Sequence, residues 1–138
     1  MDQALVFRVG GEYYGLEIEN IQEVVESPSF HYIPKAPETF RGAINFHGSI
    51  IPVIDLPAYL GESQGDRDQR VIVLLPSLGR IALTATAIHR VVPMERESLM
   101  PVHNDSDTEK FIRAVFPHKD MMINVLDIVR LLEDLQNF

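Results

Sequence analysis

The chain repeats itself, and a repeat constrains the fold before any residue is assigned to a strand or helix. The segment GLEIENIQEVVES (15–27) aligns with ALTATAIHRVVPM (82–94) at an offset of 67. Leu16/Leu83, Ile21/Ile88, Val24/Val91 and Val25/Val92 are identical across it, as are Pro34/Pro101 just beyond. FRGAINFHGSIIPVIDLPAYL (40–60) then aligns with FIRAVFPHKDMMINVLDIVRLL (111–132). Phe40/Phe111, Ala43/Ala114 and His47/His118 match at an offset of 71; one residue is inserted in the turn; Ile51/Ile123, Val53/Val125, Asp55/Asp127 and Leu60/Leu132 match at 72. The offset changes only where loops are expected, and loops tolerate insertion. The sequence therefore predicts two copies of one unit, at about residues 1–61 and 70–132, each of about five short strands followed by a helical turn. A unit of this size has a small core when alone. The two are expected to pack on each other as one 138-residue domain, with the C-terminal helix sealing their junction.

The local signals agree. Short apolar runs bounded by Gly and Pro recur along the chain, with turn signals every 8–12 residues, the mark of small β-barrels or a sandwich. Residues 5–9 form a strand candidate ending at Gly10-Gly11, where glycine tolerates the positive φ of a tight turn. Tyr14, Leu16 and Ile18 alternate with Gly15 and Glu17, as in a half-buried strand. Ile21, Val24 and Val25 fit either one helical turn or the start of the next strand. Residues 31–33 read as extended and stop at Pro34. Residues 41–46 and 50–54 flank a His47-Gly48 turn, and 57–60 make one helical turn capped by Asp55. The polar stretch 61–69 reads as the loop between the two halves, and 102–109 as another loop. Hairpins follow at 70–75 with 80–84 and at 112–116 with 121–125, the latter around 117–120, with a further β-run at 88–92. Residues 128–135 hold the best amphipathic helix.

Composition narrows the function. The 20 acidic and 12 basic residues give a net charge of −8, which argues against nucleic acid and against an anionic membrane surface. With no cysteine, disulfides, thiolate nucleophiles and zinc–thiolate sites are excluded. The N-terminus lacks the basic and apolar regions of a signal peptide, and no run approaches the ~20 apolar residues of a membrane span. A cytoplasmic protein is expected.

Asp55 and Asp127 tempt a paired-carboxylate reading, yet each follows an I-x-V-[IL] strand and precedes a helical turn, so a shared capping role explains both. None of His31, His47, His89, His103 and His118 forms the i, i+4 pair of a helical metal site. There is no G-x-S-x-G elbow, and Gly10-Gly11 lacks the helix of a phosphate cradle. No enzymatic activity, metal or cofactor is expected. Residues 40–48 stand out, because Arg41, Gly42 and Asn45 interrupt an apolar strand pair. A glycine within a strand admits another backbone closely, so the segment fits either a bulged core hairpin or a docking surface.

These residues resemble a known family. RGAINFHGSIIPVIDLPAYLG (41–61) is similar to the R-G-x-x-N-L-R-G-x-[IV]-[IV]-P-[VI]-[IV]-D-L signature of the CheW chemotaxis coupling proteins. FRVGGEYYGLEIENIQEVVE (7–26) resembles the family's opening block, and IPKAP (33–37) the segment joining the two. RVIVLL (70–75), IHRV (88–91) and FIRAVF (111–116) are similar to its second half, so the resemblance spans essentially the whole chain. It implies a mainly β fold of two packed five-stranded SH3-like barrels with a C-terminal helix. It implies a non-enzymatic adaptor, linking the cytoplasmic tips of methyl-accepting chemoreceptors to the regulatory domain of a CheA-type histidine kinase in membrane-associated receptor arrays. Such an adaptor inserts no segment into the membrane itself, and the receptor tip, a helical hairpin, would dock between the barrels.

By matching position, the resemblance implies a partner-binding surface at Ile21, Glu23, Gly42, Asn45 and His47, with Ile88 and Val91 on the second barrel. Glu23 would pair with a basic group, and Gly42 would admit close backbone approach. The sequence departs from the family twice. His47 stands where an arginine is usual, so an always-charged fork becomes a titratable ring. ALTATAI (82–88) lacks the family's aspartate. These departures raise an alternative, the adaptor of a non-flagellar chemosensory system serving pili or biofilm. Two other readings differ in class: a β-barrel module binding a small ligand between its lobes, and a detached kinase regulatory domain of the same fold.

Overall fold

The computed structural model describes residues 2–102 and 110–136. Among the described residues, eleven strands, two short helices and two 3-10 turns follow one another. Strands β1 (Asp2–Val9) and β2 (Glu12–Glu17) form a hairpin, followed by a 3-10 turn (Ile18–Asn20) and β3 (Ile21–Val25). Then come the hairpin of β4 (Phe40–Phe46) and β5 (Ser49–Ile54) and helix α1 (Leu56–Tyr59). Next are β6 (Val71–Leu74), β7 (Ala82–Leu83), β8 (Ala87–Met94) and β9 (Met100–Pro101). The hairpin of β10 (Ile112–His118) and β11 (Met121–Leu126) leads into α2 (Ile128–Leu135). The chain is mainly β, in two sheets with a short C-terminal helix, as the sequence predicts.

The division of the chain is not the expected one. Two compact units form, but they are residues 19–88 and, discontinuously, the residues up to Ile18 with those from His89 onward. The polar stretch 61–69 therefore lies inside one unit and does not separate the halves. Pairing explains this. In unit 2 (19–88) the strand order is β3-β6-β7-β5-β4, with β7 antiparallel to β6 and parallel to β5. In unit 1 the order is β8-β1-β2-β11-β10-β9, with β2 antiparallel to β1 and parallel to β11. The two sheets share one topology, and the N-terminal hairpin completes the sheet built by the C-terminal strands. Parallel strands cannot be joined by a tight turn, so this pairing spans most of the chain length and leaves no local trace in the sequence.

The registers verify the repeat and correct its alignment. Gly15 faces Val6 as Ala82, 67 residues on, faces Val73. The β4–β5 hairpin pairs Phe40 with Ile54 and has a bulge before Gly42; the β10–β11 hairpin pairs Ile112 with Leu126 and has its bulge before Ala114. Both turns contain two residues, so the offset is 72 throughout and nothing is inserted there. His118 ends β10 opposite Met121, where Phe46 stands opposite Ser49, and Lys119 takes the position of His47. The matches at an offset of 71 are one residue out of register. Lys119 and His47 both have positive φ, 54° and 51°, and fill the same turn position with unlike side chains.

Each unit has its own core. In unit 1 Ala4, Val6, Val92, Met94, Phe116, Ile123 and Val125 interdigitate; in unit 2 Ile44, Phe46, Ile51, Val53, Val71 and Val73 do. Gly15 lets the second strand sit against Ile123, whose Cγ2 lies 2.9 Å from where a Cβ would be. Residues 31–33 do not form a strand; only His31 pairs, in an isolated bridge with Ala43. His103 and most of the predicted 102–109 loop lie outside the described residues.

Candidate partner-binding surface

The β4–β5 turn and β3 build an exposed corner in unit 2. His47 and Gly48 both have positive φ, 51° and 87°, the conformation a two-residue hairpin turn needs. Asn45 closes the turn, its Oδ1 accepting from the Gly48 N–H at 3.0 Å. His47 Nε2 lies 3.4 Å from Glu23 Oε1, and its ring meets the Phe46 ring edge-on at 4.3 Å between centroids. The two side chains are 73% and 48% exposed, so their pairing contributes at most ~1 kcal/mol and stays open to rearrangement. Beside them a cavity of about 150 Å³ is lined by Gln22, Phe46, Ser49, Ile51, Leu74 and Arg80, among others.

Of the seven expected surface residues, Glu23, Asn45 and His47 meet at this corner. Ile21, half-buried, is two positions from Glu23 on β3. Gly42 is buried at the bulge with φ 138°, and a Cβ there would lie 2.7 Å from the His31 carbonyl oxygen. The backbone that approaches Gly42 is therefore this chain's own: His31 and Ala43 exchange N–H···O bonds at 2.7 and 2.9 Å. Ile88 is only 6% exposed, whereas Val91 is 44% exposed and lies on β8 in unit 1.

The two repeat-related aspartates, expected to cap alike, do different things. Asp127 caps α2, its Oδ1 accepting from the Arg130 N–H at 3.1 Å. Asp55 makes no side-chain cap to α1. Its Oδ1 instead accepts from Arg67 Nε and Thr84 Oγ1, both at 2.7 Å. The pair is nearly buried, and the Arg67 guanidinium also donates to the carbonyls of Glu62, Ser63, Gly65 and Asp66, so it folds loop 61–69 around itself. Only Asp55 has an arginine folded over it, which releases it from capping.

Next to that loop, the Asp68 carboxylate accepts from Arg70 Nε and Nη2, both at 3.0 Å, from the Arg70 N–H at 2.9 Å and from the Ile88 N–H at 2.7 Å. Arg70 Nη2 donates back to the Ile88 carbonyl at 2.7 Å. Burial alone would raise the Asp68 pKa; the Arg70 guanidinium and the two backbone N–H groups outweigh it and hold the carboxyl at about 2, against an ordinary 3.8. Ile88 thus ties the end of unit 2 to Asp68 through its backbone, a role its apolar side chain does not suggest. Both networks were hidden in the sequence, because DRDQR (66–70) has the composition of a solvated loop. Among the described residues no cluster of three or more His, Asp or Glu side chains could hold a metal ion, and no helix is long and apolar enough to cross a membrane.

The CheW-like domain family matches residues 3–136. The probable chemotaxis protein CheW of Rhizobium etli is 24% identical, over 98% of this chain and 90% of its own. Protein FrzA of Myxococcus xanthus is 26% identical, over 92% of this chain and 82% of its own. The crystal structure of the scaffolding protein TtCheW from Thermoanaerobacter tengcongensis superposes with a TM-score of 0.78, at 33% identity, covering 91% of this chain and 88% of that one. With two sheets of one topology and this match over nearly its full length, the chain belongs to the CheW-like domain family. It is a chemotaxis adaptor of the SH3-like two-subdomain fold, and the proteins of this family are scaffolds.

Proposed function

We propose that the chain, without catalysis of its own, couples the cytoplasmic tips of methyl-accepting chemoreceptors to the regulatory domain of a CheA-type histidine kinase, in the cytoplasm at receptor arrays. The observation that carries this reading is the exposed Glu23–His47 corner, held in shape by the Asn45–Gly48 bond. Glu23 and His47 act as contact residues, exposed and only loosely paired, so each can exchange its partner for one on the kinase domain. Ile21 and Val91 supply apolar contact, and contact of this kind carries most of the affinity when buried in an interface. Gly42 and Ile88 act indirectly, by setting the backbone beneath the surface. Similarity to FrzA favours a second reading, in which the same coupling serves a non-flagellar chemosensory system.

Titration calorimetry of the chain against the isolated regulatory domain of its cognate kinase tests the proposal. Association at tens of micromolar or tighter is expected, with Glu23→Arg weakening it at least about tenfold while the thermal melt is unchanged. Absence of binding at that concentration overturns the coupling role. Unchanged binding by Glu23→Arg overturns the placement of the surface.

A further inference from the structure

His47 combines two properties that no other residue of the exposed corner has: a side chain of the type that titrates near neutral pH, and a carboxylate in front of it. Imidazole is the one side chain whose ordinary titration falls between pH 5 and 8. Of the histidines among the described residues, only His47 is within ion-pair reach of a carboxylate, its Nε2 lying 3.4 Å from Glu23 Oε1. Two features keep the ring near Glu23. Its backbone is set at φ 51° in the two-residue turn, and the ring packs edge-on against buried Phe46 at 4.3 Å between centroids.

Two charged groups face this ring. Glu23, on β3, attracts an imidazolium. Arg80, just before β7, lines the same cavity of about 150 Å³ and repels it, with its Nη1 turned toward Ser49 Oγ at 3.5 Å. The other side chains around that cavity carry no charge: Gln22 from β3, Phe46 from β4, Ser49 and Ile51 from β5, Leu74 from β6, and Pro76. A proton on His47 therefore has one acid to act on. When neutral, the ring offers Glu23 a single long hydrogen bond, and the carboxylate, 48% exposed, keeps its whole charge for a partner. When charged, the ring forms an ion pair with the same oxygen. A partner's cation must then displace the imidazolium and sit beside it. The equivalent turn position of unit 1 holds Lys119 at φ 54°, a side-chain type that stays charged throughout this range, so the turn geometry accepts a fixed cation as well as a titratable one.

We propose that His47 is a proton-operated brake on the Glu23 contact: protonation of the ring ties up Glu23 and weakens association with the kinase regulatory domain, and deprotonation releases it. This rests on Glu23 being a contact for that domain, as proposed above. The exposure of the pair limits the effect to about two- to fivefold in affinity. Coupling is graded by pH and not switched off.

The test is titration calorimetry of the full chain against the kinase regulatory domain at pH 8 and pH 6. Two variants accompany the wild type: His47→Gln, which takes up no proton, and His47→Lys, which is always charged. Other groups on both proteins titrate too, so the quantity read is the ratio of dissociation constants at the two pH values, wild type against variant. On acidification the wild type is expected to lose about two- to fivefold more affinity than His47→Gln. At pH 8 His47→Gln is expected to bind within about twofold of wild type, and His47→Lys about two- to fivefold more weakly. Circular dichroism melts at both pH values check that each variant is folded. Equal pH ratios for wild type and His47→Gln, or a wild type that gains on the glutamine variant at pH 6, would overturn the proposal and leave the coupling role standing. No association at either pH would overturn the coupling role, and the proposal with it. A second measurement needs no partner. In the free chain the carboxylate 13C signal of Glu23 should move between pH 8 and pH 6, and move far less in His47→Gln; a signal that stays still in the wild type would also overturn the proposal.

Discussion

Replacing Asp68 by asparagine removes one charge and nothing else of size, so it isolates what that carboxylate contributes. Four donors converge on it: Nε and Nη2 of Arg70, the Arg70 N–H and the Ile88 N–H. In Asp68→Asn one oxygen survives as an acceptor, while the new NH2 faces donors it cannot bond. The carboxyl sits at about 2 in the fold against 3.8 ordinarily. At about 1.4 kcal/mol per pKa unit, that difference is worth about 2 kcal/mol of stability at neutral pH. For a chain of this size the melting temperature should fall by roughly 6–10 °C. The sign with pH follows from a folded pKa that is depressed. The contribution is fully present above about 3.8 and is lost as pH falls through about 2. Thermal melts of wild type and variant by circular dichroism should therefore differ by a constant interval from pH 7 to pH 5. The interval should shrink as pH falls below about 4 and close only below about pH 2. Equal melting temperatures at pH 7 would refute the reasoning, and so would a difference that persists undiminished at pH 1.5, where the carboxyl is mostly neutral and should behave nearly like the amide.

The unlike uses of the repeat-related aspartates predict unlike costs. Asp127→Ala should lose one cap, about 1 kcal/mol. Asp55→Ala, which strips the nearly buried Arg67 of its counter-charge, should lose about 3 kcal/mol in urea denaturation. Gly42→Val should cost about 1–3 kcal/mol, because a Cβ meets the His31 carbonyl at 2.7 Å and φ is 138°; hydrogen exchange should rise first at the His31 and Ala43 amides, whose mutual bonds are the ones displaced. Thr39→Val should leave the urea midpoint unchanged or raised, since the Thr39 hydroxyl is buried with no hydrogen-bond partner among the described residues and valine removes an unmet donor at nearly equal volume.

Most of the strands were legible from period-2 alternation cut by Gly and Pro, though β3 fits helix and strand alike and the two-residue β9 gives no signal; α2 was legible to the residue because its apolar stripe is strong and Asp127 caps it. The turns at Gly10 and His47-Gly48 were legible because positive φ selects few residue types. Repetition of the unit was legible in Leu16/Leu83 and Ile21/Ile88. Glu23, Asn45 and His47 were singled out by family resemblance, and the fold brings them to one corner.

Which strands make which unit was decided by tertiary pairing alone. β2 lies beside β11, and β7 beside β5, through parallel ladders between segments far apart in the chain. A ladder of backbone N–H and C=O groups carries no side-chain signature, so sequential halves looked like the natural division. The counterpart of His47 stayed hidden for the same reason: an offset of 71 sets His118 against it, and only the register puts Lys119 there. The roles of Asp55 and Asp68 were hidden because a polar loop closes over each with an arginine, and burial, which turns a solvated charge into a structural one, is a property of the fold and not of composition.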